Sequence, residues 1–356
     1  MSSNFRSAGA STDMAVGLYR VAIVGAASLK GKEVAEVLEQ RNFPAADVRL
    51  LDDDETLGQL EAVKDEITFI QSVRAEQFEH VDFTFFSSDA ECTRANWKQA
   101  QQAGSAIVDL SYALEGEPGA SVRAPWLERQ LGQAAAPDLQ PGPAVVADPA
   151  AVVLAVLLSR LQSAAPVARA IASVLEPASE FGQKGMDELH QQTVNLLSFQ
   201  ELPKKVFDSQ VAFNMISRFG TQSRENLAAA GERIASHYSK ITGGRAPVPS
   251  IQALQAPVFH GHAISLHVQF ESAADVKGIS SALPGDHVSV VPSTEEAPSN
   301  VSAAGQADIL VSVTADAAHA NSLWIWAVSD NLRITALTAV ECAESMAATR
   351  PRGHIQ

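Results

Sequence analysis

From Tyr19 to Ala151 the sequence alternates between short apolar runs and stretches in which apolar residues have helical spacing. The apolar runs are rich in β-branched and aromatic residues, which favour strands. They occupy residues 19–24, 48–51, 81–87, 106–110 and 144–147, with helical spacing at 31–39 and 93–102. Strands that alternate with helices form a parallel sheet with helices on both faces. This part of the chain is therefore predicted to be an α/β domain.

Beyond residue 151 the pattern changes, because the apolar runs alternate partly with polar residues, as in a sheet with one covered face. Strands are predicted at 167–175, 211–216, 263–270 and 308–313, and helices at 183–199, 224–239 and 331–348. An α+β second domain is expected. The predicted organisation is a flexible lead at 1–18, an α/β domain at 19–150, an α+β domain at 151–330 and a C-terminal helix within 331–356.

The charge balance is acidic, with 26 basic and 41 acidic side chains and a formal net charge of -15. This charge repels phosphate backbones and anionic lipids, so neither nucleic acid nor a membrane surface is an expected partner. The two cysteines, Cys92 and Cys342, have no metal-ligand spacing, so no disulfide or metal is predicted and a reducing cytoplasm is the expected location. No apolar segment reads as a secretion signal or membrane span.

The segment Gly25–Gly31 follows the first predicted strand and opens the first predicted helix. A glycine at such a turn keeps the backbone close, and the free helix amides can accept a pyrophosphate, as in a Rossmann-like domain. The candidate cofactor-binding residues are Gly25, Ala26, Ser28, Leu29, Lys30 and Gly31. The spacing is G-x-x-S-x-x-G, so a turn that only packs the helix against the sheet stays an alternative.

An acidic run, Asp52-Asp53-Asp54-Glu55, follows the second predicted strand. Carboxylates at this place accept hydrogen bonds from a ribose 2′-hydroxyl and repel a 2′-phosphate. If a nicotinamide cofactor binds, NAD is therefore favoured over NADP. The alternative is a solvated acidic turn.

The segment VVADPAAVVLAVLLSRL, residues 145–161, passes from a strand through an Asp-Pro turn into a long apolar helix. A helix N-terminus at such a junction stabilises thiolates, oxyanions and phosphates. Here it carries Ala150 and Ala151, which offer no reactive group. A well-packed helix start is the alternative interpretation.

Several ordered motifs make the chain resemble the aspartate-β-semialdehyde dehydrogenase family. They are Gly25–Gly31, Arg41–Pro44, Val145–Val153, Gly182–Leu189, Ala256–His262 and Asp330–Arg333. Together they span nearly the whole chain. The resemblance implies an NAD(P)-binding first domain, a second domain with catalytic and dimer surfaces, a final helix that returns to the first domain, and a homodimer.

Active members of that family convert aspartyl phosphate to the semialdehyde with NADP, through a thioester on a cysteine. The cysteine lies in an Asn-Pro-Asn-Cys-Ser-Thr turn, which matches Asp148–Val153, so the nucleophile position is Ala151. A methyl group cannot attack a carbonyl. The resemblance therefore implies that this chain lacks the thioester reaction.

Other family positions differ as well. A glutamine matches Glu176, the phosphate-binding arginine matches Glu115, the carboxylate-binding arginine matches Gln255, and a Glu-x-x-Lys pair matches Glu225 and Ala228. The cations of the substrate site are thus absent from the matched positions. His262 does match the family's general base.

His262 and Glu176 are the candidate catalytic residues, each with an alternative as a paired structural side chain. His260-Gly261-His262 lacks further ligands, so no metal is expected. We interpret the chain as a family homologue without the phosphorylating activity, which leaves open whether NAD(P) binding is retained. The alternatives are an NAD-dependent oxidoreductase that transfers hydride without a covalent step, and a binding module that senses an aldehyde or an amino acid.

Overall fold

A computed structural model describes residues 18–52, 60–63, 66–133, 142–273 and 275–349. The strands are β1 (Tyr19–Val24), β2 (Ala45–Asp52), β3 (Leu60–Val63), β4 (Glu66–Phe69), β5 (Gln71–Ser72), β6 (Phe83–Phe86), β7 (Ala106–Asp109), β8 (Ser121–Arg123), β9 (Ala144–Val146), β10 (Val167–Glu176), β11 (Ser250–Gln255), β12 (His262–Phe270), β13 (Val288–Val290), β14 (Ile309–Ala315) and β15 (Ser322–Ser329). The helices are α1 (Leu29–Gln40), α2 (Ala90–Gln102), α3 (Pro125–Gln130), α4 (Pro149–Ala164), α5 (Gly182–Leu197), α6 (Leu227–Thr242), α7 (Val276–Ala282), α8 (Asn300–Ala303) and α9 (Asn331–Thr349).

The first domain is built on a seven-stranded sheet with the order β5-β2-β1-β6-β7-β9-β8. All of its strand pairs are parallel. The four residues of β6 and the four of β7 are buried, because helices cover both faces of the central strands. The predicted α/β, Rossmann-like domain is confirmed.

The second domain is built on a six-stranded mixed sheet with the order β11-β10-β12-β15-β14-β13. Its inner face packs against α4, α6 and α7 in one apolar core. Four neighbouring strands place Ile171, His267, Trp324 and Thr314 side by side in register on the other face. The predicted one-sided α+β sheet is therefore also confirmed.

Helix α4 lies between the two domains and is apolar around its whole circumference. Twelve of its sixteen residues are buried, against α3, α6, α7, α9 and β10. A helix buried on every side needs no polar face, which explains the continuous apolar run of the sequence. The last helix, α9, packs mainly on α1 and on strands β7 and β9 of the first domain.

The strand predicted at 211–216 is wrong. Phe213 has a φ of 55°, and the segment contributes only an isolated bridge between Ile216 and Gln255. The amides of Val211 and Ala212 instead donate to Oε1 of Gln192, at 2.8 and 3.2 Å. An α5 side chain thus replaces the neighbouring strand as hydrogen-bond partner.

Among the described residues, no helix is long and apolar enough to cross a membrane.

Candidate functional site

The turn between β1 and α1 is shaped by its two glycines. Gly25 has a φ of +81°, and a Cβ there would lie 2.4 Å from the Ser88 nitrogen. A Cβ on Gly31 would lie 2.2 Å from the carbonyl oxygen of Gly25. Ser28 caps α1, because its Oγ accepts from the Gly31 amide and donates to the Ser87 carbonyl, both at 3.0 Å. The helix, the turn and β6 therefore approach too closely for side chains at either glycine.

The predicted cofactor residues divide into two groups. Ser28, Leu29 and Lys30 line a cleft of about 570 Å³, whereas Gly25, Ala26 and Gly31 form its support. The cleft lies between the domains, and its other lining residues are Ser87, Ser88, Asp89, Ala90, Leu110, Ser111, Tyr112, Glu176, Ser179, Glu180, Phe181, Gly182, Gln183, Lys184, Glu225, Asn226, Ala230 and Arg233. This size suits a small ligand.

The acidic run is described only at its first residue. Oδ2 of Asp52 accepts a hydrogen bond of 2.7 Å from the Ala27 amide, within the glycine turn. The carboxylate thus already holds one of the amides at the helix start. Asp53, Asp54 and Glu55 lie outside the described residues. The preference for NAD over NADP depends mainly on these residues and therefore stays a prediction.

Ala151 lies in the first turn of α4 and is fully buried. Asp148 caps this helix, since its Oδ1 accepts from the amides of Ala150 at 3.0 Å and Ala151 at 3.5 Å. The helix start predicted from the Asp-Pro turn is therefore present. The N-terminus of this helix is occupied by the carboxylate of Asp148.

Asp148 is also held from α6. Its Oδ2 accepts from Nε of Arg233 at 3.1 Å, and its backbone amide donates to Nδ1 of His237 at 2.8 Å. Burial raises the pKa of Asp148, but Arg233 and the two neighbouring histidines, His237 and His262, lower it by more, so the pKa falls below its ordinary value. Asp148 is therefore an ionised, buried anchor of the junction.

Glu115, which the resemblance matches to a phosphate-binding arginine, belongs to the same junction. Its Oε1 lies 2.9 Å from Nε2 of His237, and its Oε2 lies 3.6 Å from Nζ of Lys240. The contact with His237 lowers the pKa of Glu115, although partial burial opposes the change. The carboxylate is thus used within the protein and does not line the cleft.

The structure brings the two candidate catalytic residues together. Nε2 of His262 lies 2.7 Å from Oε2 of Glu176 and 3.8 Å from Oε1 of Glu180. Burial lowers the pKa of His262, but the carboxylates of Glu176, Glu180 and Asp148 raise it by more, to about 9. Burial raises the pKa of Glu176, and His262 opposes that rise only in part. The buried pair therefore retains a proton at neutral pH.

Only one member of this pair reaches the cleft. Glu176 lines it, whereas His262 is 1% exposed and is not among the lining residues. Gln255, matched to a carboxylate-binding arginine, is fully buried and its Nε2 donates to the carbonyls of Glu176 and Ala256 at 3.1 and 2.7 Å. Neither His262 nor Gln255 is therefore free to contact a ligand in the cleft.

Arg233 is a cationic side chain of the cleft that was not predicted from the sequence. The Arg233 guanidinium lies 4.7 Å, and Lys30 Nζ 4.9 Å, from the ring centre of Tyr112. Lys30 was chosen only as part of the glycine turn. The signal for Arg233 is its helical spacing, since Asn226, Ala230 and Arg233 recur on one face of α6 and all line the cleft.

Ala228, the family-matched position on α6, is not among the cleft-lining residues. Within the described ranges, no group of three or more His, Cys, Asp or Glu side chains is arranged to hold a metal ion.

A parallel sheet with a glycine turn, joined across a cleft to a one-sided mixed sheet, defines the class of two-domain proteins with a Rossmann-like domain. Two family models refine this class. One, described as "Semialdehyde dehydrogenase, NAD binding domain", matches residues 20–148, and the other, "Semialdehyde dehydrogenase, dimerisation domain", matches residues 158–334.

Individual relatives match almost from end to end. The chain is 32% identical over 336 residues to the USG-1 protein homolog of Pseudomonas aeruginosa, covering 91% of this chain and 96% of that protein. It is 28% identical over 339 residues to the aspartate-semialdehyde dehydrogenase of Rickettsia bellii, covering 93% and 98%. A solved structure of a probable aspartate-semialdehyde dehydrogenase from Pseudomonas aeruginosa has a TM-score of 0.82 at 29% identity, covering 92% of this chain and 98% of that one. The chain belongs to the aspartate-semialdehyde dehydrogenase family, as the motifs predicted.

Proposed function

We propose that this chain is a family member without the phosphorylating dehydrogenase reaction, which retains the fold, homodimerisation and a cleft that binds NAD(P), with NAD preferred. The observation that carries this proposal is the start of α4, where Ala151 presents a buried methyl group. A methyl group forms no acyl-enzyme intermediate.

Neither cysteine supplies a thiolate in its place. Cys342 is fully buried in α9, and burial raises the pKa of its thiol far above the ordinary value. Cys92 lies in α2 and is partly buried, which also raises its pKa. Because the thiolate is the nucleophilic form, both cysteines are poorly suited to attack.

The state of His262 supports the same conclusion. A general base must be unprotonated at the working pH and within reach of the proton that it removes. His262 is buried, raised in pKa and paired with Glu176. It acts in this proposal as a structural cation behind the cleft.

A second candidate function is direct hydride transfer between a nicotinamide and a small substrate, without a covalent intermediate. It is favoured by Glu176, which lines the cleft and whose pKa is raised by burial, a feature that is common among groups that exchange protons in active sites. Calorimetric titration with NAD and NADP tests it. Failure of both to bind removes this candidate, while tight binding of NAD calls for a substrate screen.

The leading proposal is tested by assaying the purified chain with aspartate semialdehyde, phosphate and either nicotinamide. The aspartate-semialdehyde dehydrogenase of Rickettsia bellii serves as the positive control. We expect the control to reduce its nicotinamide and this chain to give no rate above the enzyme-free blank. Turnover that depends on both semialdehyde and phosphate would show that the proposal is wrong.

A further inference from the structure

We propose that the cleft binds a small molecule through a carboxylate or phosphate group, and that Arg233 is the residue that holds this group. The proposal deepens the proposed function, since it rests on the cleft being a ligand site and names the chemistry of the ligand. Arg233 projects from α6 into the cleft, whereas Glu115, Gln255 and Ala228, which match the cationic positions of the family, do not line it.

The guanidinium of Arg233 is positioned by the protein with part of its donor set unused. Its Nε donates to Asp148, which fixes one edge of the planar group. Its terminal Nη1 and Nη2 atoms form no hydrogen bond with any described residue, and the side chain is 32% exposed. Two parallel N–H donors on a fixed guanidinium match the two oxygens of a carboxylate or phosphate.

The ring of Tyr112 packs against this guanidinium group. Its centre lies 4.7 Å from the Arg233 guanidinium and 4.9 Å from Lys30 Nζ. Tyr112 also has a φ of 63°, in the left-handed region that few non-glycine residues adopt. Such strain persists where the surroundings hold a residue in place, and it is concentrated at ligand sites. The strained Tyr112 thus contacts both cations at the cleft.

Four acidic side chains line the cleft, Asp89, Glu176, Glu180 and Glu225, and the first three have partners within the protein. Glu176 is paired with the protonated His262. Glu180 accepts from Nδ2 of Asn331 at 2.7 Å and lies 3.8 Å from His262. Because Glu176 and Glu180 have partners behind the cleft and Asp89 caps α2, Arg233 and Lys30 remain available to attract an anionic group.

The test is calorimetric titration of the full chain with succinate and, separately, with inorganic phosphate, which distinguishes the two sources of the anionic group. Arg233→Lys keeps a positive charge beside Asp148 but removes the planar pair of donors. We expect it to weaken binding of the preferred probe by about tenfold. Arg94→Lys is the matched control, because Arg94 is exposed on α2 and is not among the cleft-lining residues. The Arg94→Lys protein should bind the probe with the same affinity as the unchanged chain.

Lys30→Gln is the second variant and keeps the test decisive if Arg233→Lys unfolds, as judged by its circular dichroism melting curve. It should weaken the same probe by about threefold, as expected for loss of one nearby charge. The proposal is overturned if neither probe binds at millimolar concentration, or if the folded variants bind as tightly as the unchanged chain. The dehydrogenase assay is independent: turnover there contradicts the proposed function and leaves a measured anion site standing.

Discussion

At the scale of single residues, the junction between the domains contains charged side chains that are paired with one another. Asp148 caps α4 and holds Arg233, Glu115 contacts His237, and Glu176 contacts His262. The sequence predicted that Ala151 could not act as a nucleophile. It could not predict that Arg233 reaches the cleft, because that depends on which face of α6 turns toward Asp148.

Replacing Ala151 by cysteine should not produce dehydrogenase activity. The new thiol would lie at a buried helix start already capped by Asp148, and Glu115 and Gln255 would still offer no cation to an acyl phosphate. The measurement is the change in nicotinamide absorbance with aspartate semialdehyde and phosphate, after circular dichroism has shown that Ala151→Cys is folded. A clear gain of turnover in the folded variant would contradict this account.

The buried pair of His262 and Glu176 should make stability depend on pH. The pKa of His262 is raised from 6.5 to about 9, so its contribution to stability is complete below about pH 6.5 and is lost as the pH rises through about 9. The raised pKa of Glu176 acts in the same direction, and its contribution to stability begins to fall as the pH rises above about 4.5. Urea unfolding across this range should show a falling free energy of unfolding.

Substitutions test whether the pair of His262 and Glu176 causes this pH dependence of the free energy of unfolding. The double variant His262→Gln, Glu176→Gln should lose most of the slope, whereas His319→Gln, at a histidine whose side chain is 64% exposed, should keep it. His262→Gln alone should cost about 3 kcal/mol near neutral pH, because it leaves a buried carboxylate without its partner. A wild-type free energy of unfolding that stays constant between these pH values would refute the assignment.

At the scale of elements, periodicity predicted the helices and strands that have a strong apolar pattern. The helix predicted at 331–348 is α9, and that predicted at 183–199 is α5. The pattern failed at 211–216, because Val211 and Ala212 are apolar in a segment whose amides bind Gln192. An apolar run in the sequence predicts that the segment is buried. It does not predict which group accepts hydrogen bonds from the backbone amides, and here that group is the distant Gln192 side chain.

The turn before α1 should tolerate no side chain at Gly31. Gly31→Ala would place a Cβ 2.2 Å from the Gly25 oxygen, so we expect a loss of about 1–3 kcal/mol and weaker NAD(P) binding. Gly116→Ala is the matched control, since nothing lies within 4 Å of a Cβ there. Thermal unfolding and NADH fluorescence measure the two effects. Equal behaviour of the two variants would show that the close packing of the turn is unimportant.

At the scale of the whole molecule, one face of the second sheet is covered at one end by α8, which packs on Ala263 and Val328, whereas the row that begins at Ile171 stays open within the described part of the chain. Its row across β10, β12 and β15 contains Ile171 and Trp324, which are 40% and 46% exposed. This sheet lies in the region that matches the dimerisation-domain model. A half-exposed tryptophan beside an aliphatic residue is typical of an interface.

Trp324→Lys should therefore convert the expected homodimer to monomers, because a buried ammonium group without a partner opposes association. Sedimentation velocity measures the change. Val301→Lys is the control: Val301 is 86% exposed on α8, and its replacement should leave the dimer intact. A Trp324→Lys protein that sediments as the unchanged chain does would place the dimer contact elsewhere.

The contact of Glu115 with His237 also constrains which substitutions the junction tolerates. Introducing arginine at position 115 would set a second cation near Lys240 and remove a carboxylate from His237. Changing His237 first would remove the acceptor of the Asp148 amide at the start of α4. Each of these single substitutions is therefore expected to lower stability, and the effects of changing contacting residues together are not the sum of the single effects. The junction thus restricts the order in which its charged residues can be exchanged, because a change at one of them alters what its neighbours can accept.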